Sequence, residues 1–427
     1  MRFEKVDTVQ TKRVHMKFEQ FELENGLRVV VHEDRSTKTA VLNVLYDVGS
    51  RDENPNKTGF AHLFEHLMFG GSKNIPAYDE PLQKVGGENN AFTSPDLTNY
   101  YISIPSNNLE TAFWLESDRM LSLSFDPKVL EIQRKVVIEE FKQRYLNQPY
   151  GDVWLKLRPL TYQKHPYRWA TIGKEISHIE DATLDDVKDF FSKFYVPNNA
   201  ILVVAGDVSL EETRRFTEKW FGPIPRGTTL NRKLPTEPKQ KKKRNLSIEA
   251  TVPVNSIYSV YHMPDRLSPD YYAIDFLSDI LGRGKASKLN NKLIKEKRLL
   301  NSVSAHITGS IDPGLFVING KLNTNITFDQ VEVEISKILK EVQEVKISDF
   351  ELEKLKNLAE SSHIFGEMEL LNKAYNLAYF TLLGDTNMIN DEVEKMRAVT
   401  SGQIMEAASA ILIEENCSTL YYNSISS

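Results

Sequence analysis

The sequence predicts an α+β chain of more than one domain. Three observations carry that expectation. A chain of 427 residues with 41% hydrophobic residues exceeds what one core usually supports. Apolar runs at strand period and at helix period alternate along it, and the alternation resumes after an interruption. The interruption, GPIPRGTTLNRKLPTEPKQKKKR from Gly222 to Arg244, is rich in Pro and Lys and poor in apolar residues, as linkers are.

Taken in order, Phe21 to His32 reads FELENGLRVVVH, with an Asn25-Gly26 turn between apolar runs, and predicts a β-hairpin. Thr39 to Val48 predicts a strand through Val41, Leu42, Val44 and Leu45, followed by a short apolar helix. Helices are expected around Asn108 to Ser122 and Leu130 to Asn147. NAILVVAG, from Asn199 to Gly206, predicts a buried strand, and Leu210 to Phe221 an amphipathic helix after it. Beyond the linker come a strand from Ser256 to His262, a helix from Tyr271 to Leu281, a charged helix near Lys285 to Lys297 and a strand around Gly314 to Leu322. The expected organisation is a first domain over residues 1–225, a basic linker over 226–245 and a second domain over 246–427.

Composition narrows the function. The formal net charge of -6 is mild for this length and argues against a dedicated nucleic-acid binder. The KQKKKR run reads as a solvated hinge, since no aromatic residue interleaves it. One cysteine, Cys417, excludes an intrachain disulfide framework and a cysteine zinc cluster, and is compatible with a reducing compartment. The start, MRFEKVDTVQTKRVHMKFEQF, lacks the apolar core of a secretory signal. No run of about 20 apolar residues occurs, so no membrane span is expected and the expected location is the cytoplasm.

The chemistry lies in His62-Leu63-Phe64-Glu65-His66. A helix turns once in about 3.6 residues, so His62, Glu65 and His66 project together. Two neutral imidazoles suit a borderline-soft divalent ion, and a carboxylate outside the ligand set can take the proton of a metal-bound water. The order His-x-x-Glu-His is the inverted form of the commoner zinc motif. With 9 His in the chain, chance supplies this pattern only ~0.01 times. The competing reading is a surface helix with solvated histidines. Phe60, Leu63, Phe64, Leu67, Met68 and Phe69 weaken it, because they make the helix apolar on nearly every side.

A catalytic zinc takes a third protein ligand and leaves one position open. The strongest candidate lies in LEIQRKVVIEEFKQRYLNQPY, from Leu130 to Tyr150, where Glu139 and Glu140 are adjacent. Ile132, Val136, Val137 and Phe141 define the expected buried stripe, and Glu140 follows Val136 and Val137 at helical spacing. Glu140 is therefore expected inside and Glu139 in solvent.

These residues together resemble a known family. HLFEH, GGENNAFTSPDLTNYY from Gly86 to Tyr101, QRKVVIEE and YVPNNAILVVAGDVS from Tyr195 to Ser209 are similar to the pitrilysin-like inverted-zincin metallopeptidases, and the resemblance covers essentially the whole chain. It is closest to short bacterial members similar to mitochondrial processing peptidase. The resemblance implies two similar domains, each a mostly antiparallel sheet with helices packed on one face, forming half of a clamshell. It implies Zn2+ held by His62, His66 and Glu140, with Glu65 as general base. It also implies that a peptide substrate pairs with an edge strand at Asn90, Ala91, Phe92 and Thr93; from the residues alone, Asn90 after Gly86 and Gly87 reads as a turn residue.

The second half departs from the family pattern. Active members carry an Arg and a Tyr seven residues apart that reach the substrate near zinc, and the matching positions here hold Lys295 and Ser302. Gln133 stands where many relatives carry a second glutamate. The resemblance therefore implies a heterodimer with a homologous zinc-less subunit that supplies Arg and Tyr, a homodimer being the alternative. The expected function is a zinc endopeptidase subunit; the rival is a noncatalytic structural or peptide-binding subunit on the same fold. His165, His262, His306 and His363 lack ligand spacing and are expected to bind no metal.

Overall fold

The computed structural model describes residues 15–425. Residues 1–14, which hold most of the stretch read above for a leader, lie outside the described residues, as do 426–427.

Two sheets organise the chain. β1 (Glu19–Glu22), β2 (Arg28–Glu33), β3 (Thr39–Tyr46), β4 (Glu88–Thr93), β5 (Thr98–Pro105) and β6 (Ala200–Gly206) form the first, in the order β1-β2-β6-β3-β5-β4. β7 (Arg244–Ala250), β8 (Ser256–His262), β9 (Leu300–Ile307), β10 (Leu315–Leu322) and β11 (Cys417–Ser424) form the second, in the order β7-β11-β8-β10-β9. Neighbours are antiparallel except β2 with β6 and β7 with β11. With β1 set aside, the two orders correspond strand for strand, β2 to β7, β6 to β11, β3 to β8, β5 to β10 and β4 to β9. This duplication is the repeat seen in the sequence. The Asn25-Gly26 hairpin is β1–β2, with Gly26 at a φ of +87° that favours glycine.

Helices cover one face of each sheet as expected. In the first half α1 (Phe60–Leu67) and α2 (Leu109–Leu121) pack Phe60, Leu63, Phe64 and Phe113 on Val29, Val31, Leu42 and Val44. α3 (Pro127–Phe141) packs behind α1 and runs on into a π-helical turn, Lys142–Leu146. In the second half α5 (Tyr271–Gly282) and α6 (Phe328–Glu344) cover Ile257, Phe316 and Ile318. The charged helix expected near Lys285 is a π-helical segment, Asn290–Glu296.

The opposite faces are covered by exchange. α7 (Leu370–Leu382), from the second half, lays Ala374, Leu377 and Ala378 on Val30, Val41, Leu45, Ile201 and Val203 of the first sheet. α4 (Val153–Thr161), from the first half, lays Val153 and Leu157 on Val260, Val317 and Leu420 of the second. This explains the unbroken apolar run of β6, whose residues are buried throughout. The connection between the halves is fastened rather than a free solvated hinge. Arg232 binds Asp47 at 2.9 Å and Asp52 at 2.6 Å, and Gln240, buried, donates to the Cys417 carbonyl at 2.7 Å. Lys239, Lys241 and Lys242 of the basic run do face solvent.

Candidate functional site

α1 begins at Gly59, whose φ is +86° and where a Cβ would stand 2.6 Å from the Ile172 carbonyl oxygen. A glycine is required at that close approach. The first N–H groups of a helix have no intrahelical partner. Here Glu53 takes them: its Oε2 accepts the Gly59 N–H at 3.0 Å and its Oε1 the Ala61 N–H at 2.9 Å. The Trp169 indole also donates to Glu53 Oε2, at 3.0 Å. Burial pushes the Glu53 carboxyl up to about 8 against those hydrogen bonds. Sequence reasoning missed this residue, because it reaches the helix from a loop rather than from the first turn.

Phe60, Ala61, Leu63, Phe64 and Leu67 are buried, which leaves His62, Glu65 and His66 on the remaining face of α1. The Nε2 atoms of His62 and His66 lie 3.7 and 3.5 Å from Glu140 Oε2. Those separations are long for N–H···O bonds. The 3.5 Å separation falls within, and the 3.7 Å one just above, the spacing of about 3.3–3.6 Å between ligand atoms on a tetrahedron with zinc bonds of ~2.0–2.2 Å. Among the described residues this is the one group of three or more His, Cys, Asp or Glu whose ligand atoms lie within 4.8 Å of one another. Burial pushes the His62 imidazole down to about 4, so its ring is neutral at neutral pH, as a ligand must be. The His66 imidazole beside Glu140 holds that carboxyl below its ordinary range. The residues present therefore fit a zinc ion. His62 Nδ1 is buried without a hydrogen-bond partner among the described residues.

The second oxygen of Glu140 is engaged as well. Arg144, four residues on, lies with its Nη1 2.9 Å from Glu140 Oε1 and is otherwise largely exposed. Glu139 is exposed, as expected. The stripe used to choose between the two glutamates is half corrected, however. Val137 and Phe141 are buried, whereas Ile132 and Val136 are 58% and 44% exposed. Ile132, Val136 and Glu140 are spaced by four residues, so they share one face of α3, and that face is left open by the rest of the chain.

Glu65 stands beside the ligand set, its carboxyl raised by burial and lowered by its contact with Thr93. Thr93 Oγ1 donates to Glu65 Oε2 at 2.5 Å. Thr93 ends β4, the outer strand of the first sheet. The segment Asn90 to Thr93 is thus strand rather than turn, and it reaches the site through Thr93. Ala91 and Thr93 alternate with the exposed Asn90 and Phe92, and the Phe92 ring lies 5.3 Å from Tyr375 of α7. Asn90 Oδ1 accepts the Ala91 N–H at 2.8 Å.

Lys295 and Ser302 belong to the second half. Lys295 donates to Asn291 at 2.8 Å and Ser302 pairs with Lys321 across β9–β10, and no described contact joins either to the site. His165 accepts the Tyr167 N–H at 3.2 Å, and His262 Nε2 lies 3.2 Å from the Thr161 carbonyl oxygen. Neither belongs to a metal-ligating group among the described residues.

Known proteins resemble this chain in sequence and fold. Residues 28–173, which contain His62, Glu65, His66 and Glu140, match the family profile described as Insulinase (Peptidase family M16). Residues 181–359 match the one described as Peptidase M16 inactive domain. The chain is 34% identical over 368 residues to the zinc protease PqqE of Helicobacter pylori, covering 82% of each protein. It is 27% identical over 352 residues to the mitochondrial-processing peptidase subunit beta of Saccharomyces cerevisiae, covering 78% of this chain and 75% of that one. A crystal structure of a protease from Helicobacter pylori matches at 30% identity with a TM-score of 0.90, over 96% of this chain and 100% of that one. Fold, duplicated halves and relatives named as zinc proteases agree: this chain belongs to the M16 peptidase family, the pitrilysin-like metallopeptidases.

Proposed function

We propose that the chain is the zinc-bearing subunit of an endopeptidase that cuts extended peptides or small unfolded polypeptides in a chamber closed with a second chain. The observation that carries this reading is the convergence of His62, His66 and Glu140 beside Glu65 and an unpaired sheet edge. A zinc ion held by those three ligands supplies a Lewis acid that polarises the peptide carbonyl and acidifies water. Glu65, outside the ligand set, takes a proton from the attacking water and returns it to the leaving amine. The β4 edge grips extended peptides through their main chain without reading sequence. Asn90 Oδ1 occupies the Ala91 N–H until a peptide carbonyl displaces it.

The charge that develops on the carbonyl oxygen needs donors that Lys295 and Ser302 are poorly suited to supply. Lys lacks the planar fork of Arg, and a serine hydroxyl does not reach as far as that of a tyrosine. A homologous zinc-less chain carrying Arg and Tyr completes the site, with a second copy of this chain as the alternative partner. The organisation expected from the sequence, a first domain over 1–225, a linker over 226–245 and a second domain over 246–427, suits this reading, with β7 already entering the second sheet at Arg244. No helix among the described residues is long and apolar enough to cross a membrane, and the free, buried Cys417 suits the cytoplasm.

The test is Glu65→Gln, assayed alone and mixed with a zinc-less homologue. The variant is expected to retain zinc by elemental analysis and to lose chelator-sensitive cleavage of an unfolded polypeptide. Full activity in the variant removes the assignment, and absence of zinc with no cleavage in any mixture favours the noncatalytic subunit.

A further inference from the structure

We propose that Thr93 is the positioning residue of Glu65, so that seating a peptide on the β4 edge and aiming the base are one event; this rests on the peptidase reading above. Among the described residues Glu65 receives one hydrogen bond, from Thr93 Oγ1 at 2.5 Å. A carboxylate on a long side chain with a single tether takes its direction from that tether. Donation to Oε2 leaves Oε1 free for the proton of the attacking water.

Thr93 is itself fixed from several sides. It pairs with Thr98 across β4–β5, and the Thr98 hydroxyl donates to the Val48 carbonyl at 2.8 Å. The turn that follows β4 is closed by the Ser94 N–H bonding to the Leu97 carbonyl at 2.9 Å. Within that turn Asp96 accepts from Arg51 at 2.9 Å, from the Ile311 N–H at 3.0 Å and from the Tyr167 hydroxyl. Phe92, one residue before Thr93, is braced on Tyr375 of α7. A peptide paired along the free edge lies against the backbone that carries this hydroxyl, and pairing stiffens that backbone. The side chain assigned from sequence to the substrate is thus turned to the base, while its main chain remains at the edge.

The test compares Thr93→Val, Thr93→Ser and Glu65→Gln in the zinc-loaded protein, with its partner chain where cleavage requires one. Valine keeps the shape and removes the donor; serine keeps the donor. Thr93→Val is expected to lower kcat about 10- to 100-fold, as small misplacements of a reacting group do, with KM and zinc content unchanged, and Thr93→Ser to recover most of the loss. A raised KM with kcat intact makes Thr93 a substrate contact only and overturns the proposal. Loss of zinc, or no change at all, overturns it too. Where Thr93→Val does not fold, Thr93→Ala against Thr93→Ser gives the same comparison. An inactive Glu65→Gln beside an unimpaired Thr93→Val removes only this proposal, whereas a fully active Glu65→Gln removes the peptidase reading and this proposal with it.

Discussion

Glu53→Gln separates two forces at the start of the zinc helix. The Glu53 carboxyl accepts the Gly59 and Ala61 N–H groups and the Trp169 indole, which favours its anion. Burial opposes the charge and wins, raising the carboxyl from its ordinary 4.5 to about 8. A carboxyl raised on folding holds its proton in the native chain while the unfolded chain releases it. Its contribution to stability is therefore complete below pH 4.5 and lost as the pH climbs to about 8. At 1.36 kcal/mol per tenfold in proton affinity, that window corresponds to ~5 kcal/mol. Glutamine has no proton to lose, so its stability lacks this slope. The assay is urea unfolding of the zinc-free native and Glu53→Gln proteins between pH 5 and about 8.5. The difference between them cancels every other titrating group, and native stability is expected to fall relative to the variant as pH rises. A difference that stays constant across the window refutes the reasoning and shows that the three N–H donors hold Glu53 ionised throughout. A constant cost of roughly 1.5–3 kcal/mol, that of a lost hydrogen bond to a charged group, is what the glutamine would then show.

Arg144→Met removes the contact on the second oxygen of Glu140. Partners of metal ligands typically contribute 10- to 100-fold in affinity, and Arg144 is 69% exposed, where ion pairs are weak; competition with a chelator is expected to show about a 10-fold loss of zinc affinity. Ala378→Leu forces three added heavy atoms into the contact between α7 and the first sheet, where Ala378 is wholly buried. Urea denaturation is expected to show a loss of about 1–3 kcal/mol. The native chain is expected to unfold in a single transition, because each half covers the back of the other's sheet.

What the sequence revealed was local. HLFEH announces its own geometry, because helical spacing alone brings His62, Glu65 and His66 together. Glu140 was also legible, since its neighbours Val137 and Phe141 are buried by the same chain. Ile132 and Val136 were misjudged for a definite reason: an apolar stripe says that a face avoids water, and does not say whether its own chain covers it. The alternating elements and the linker disclosed the duplication. The exchange of α4 and α7 was hidden, because which helix backs a sheet is decided by contacts between residues more than 100 positions apart, such as those of α4 with β11. Glu53, Thr93 and Arg144 were invisible in their roles. Each acts through a side-chain contact that no periodicity encodes.

The placement of the site in one half does not make the other half idle. Arg51, Asp52 and Glu53 are consecutive, and each is bound to a different part of the molecule. Arg51, with its side chain 5% exposed, reaches Asp96 at 2.9 Å and Asp312 of the second half at 3.1 Å. Asp52 receives Arg232 of the linker at 2.6 Å, and Glu53 holds the start of α1. A buried cation is tolerated only with its full set of counter-charges, since removing one partner leaves an unpaired charge in a low dielectric. The β9–β10 turn that carries Asp312 is therefore bound to keep its place against Asp96, three residues from Thr93, and against the segment that starts the zinc helix. A shift of the second half would move both supports of Glu65 at once, the strand through Thr93 and the helix through Glu53. Duplication without a second metal motif is sensible on this geometry: one copy brings His62, His66 and Glu140 together, and the turn carrying Asp312 in the other is tied through Arg51 to the segments that lead to Thr93 and to the start of α1.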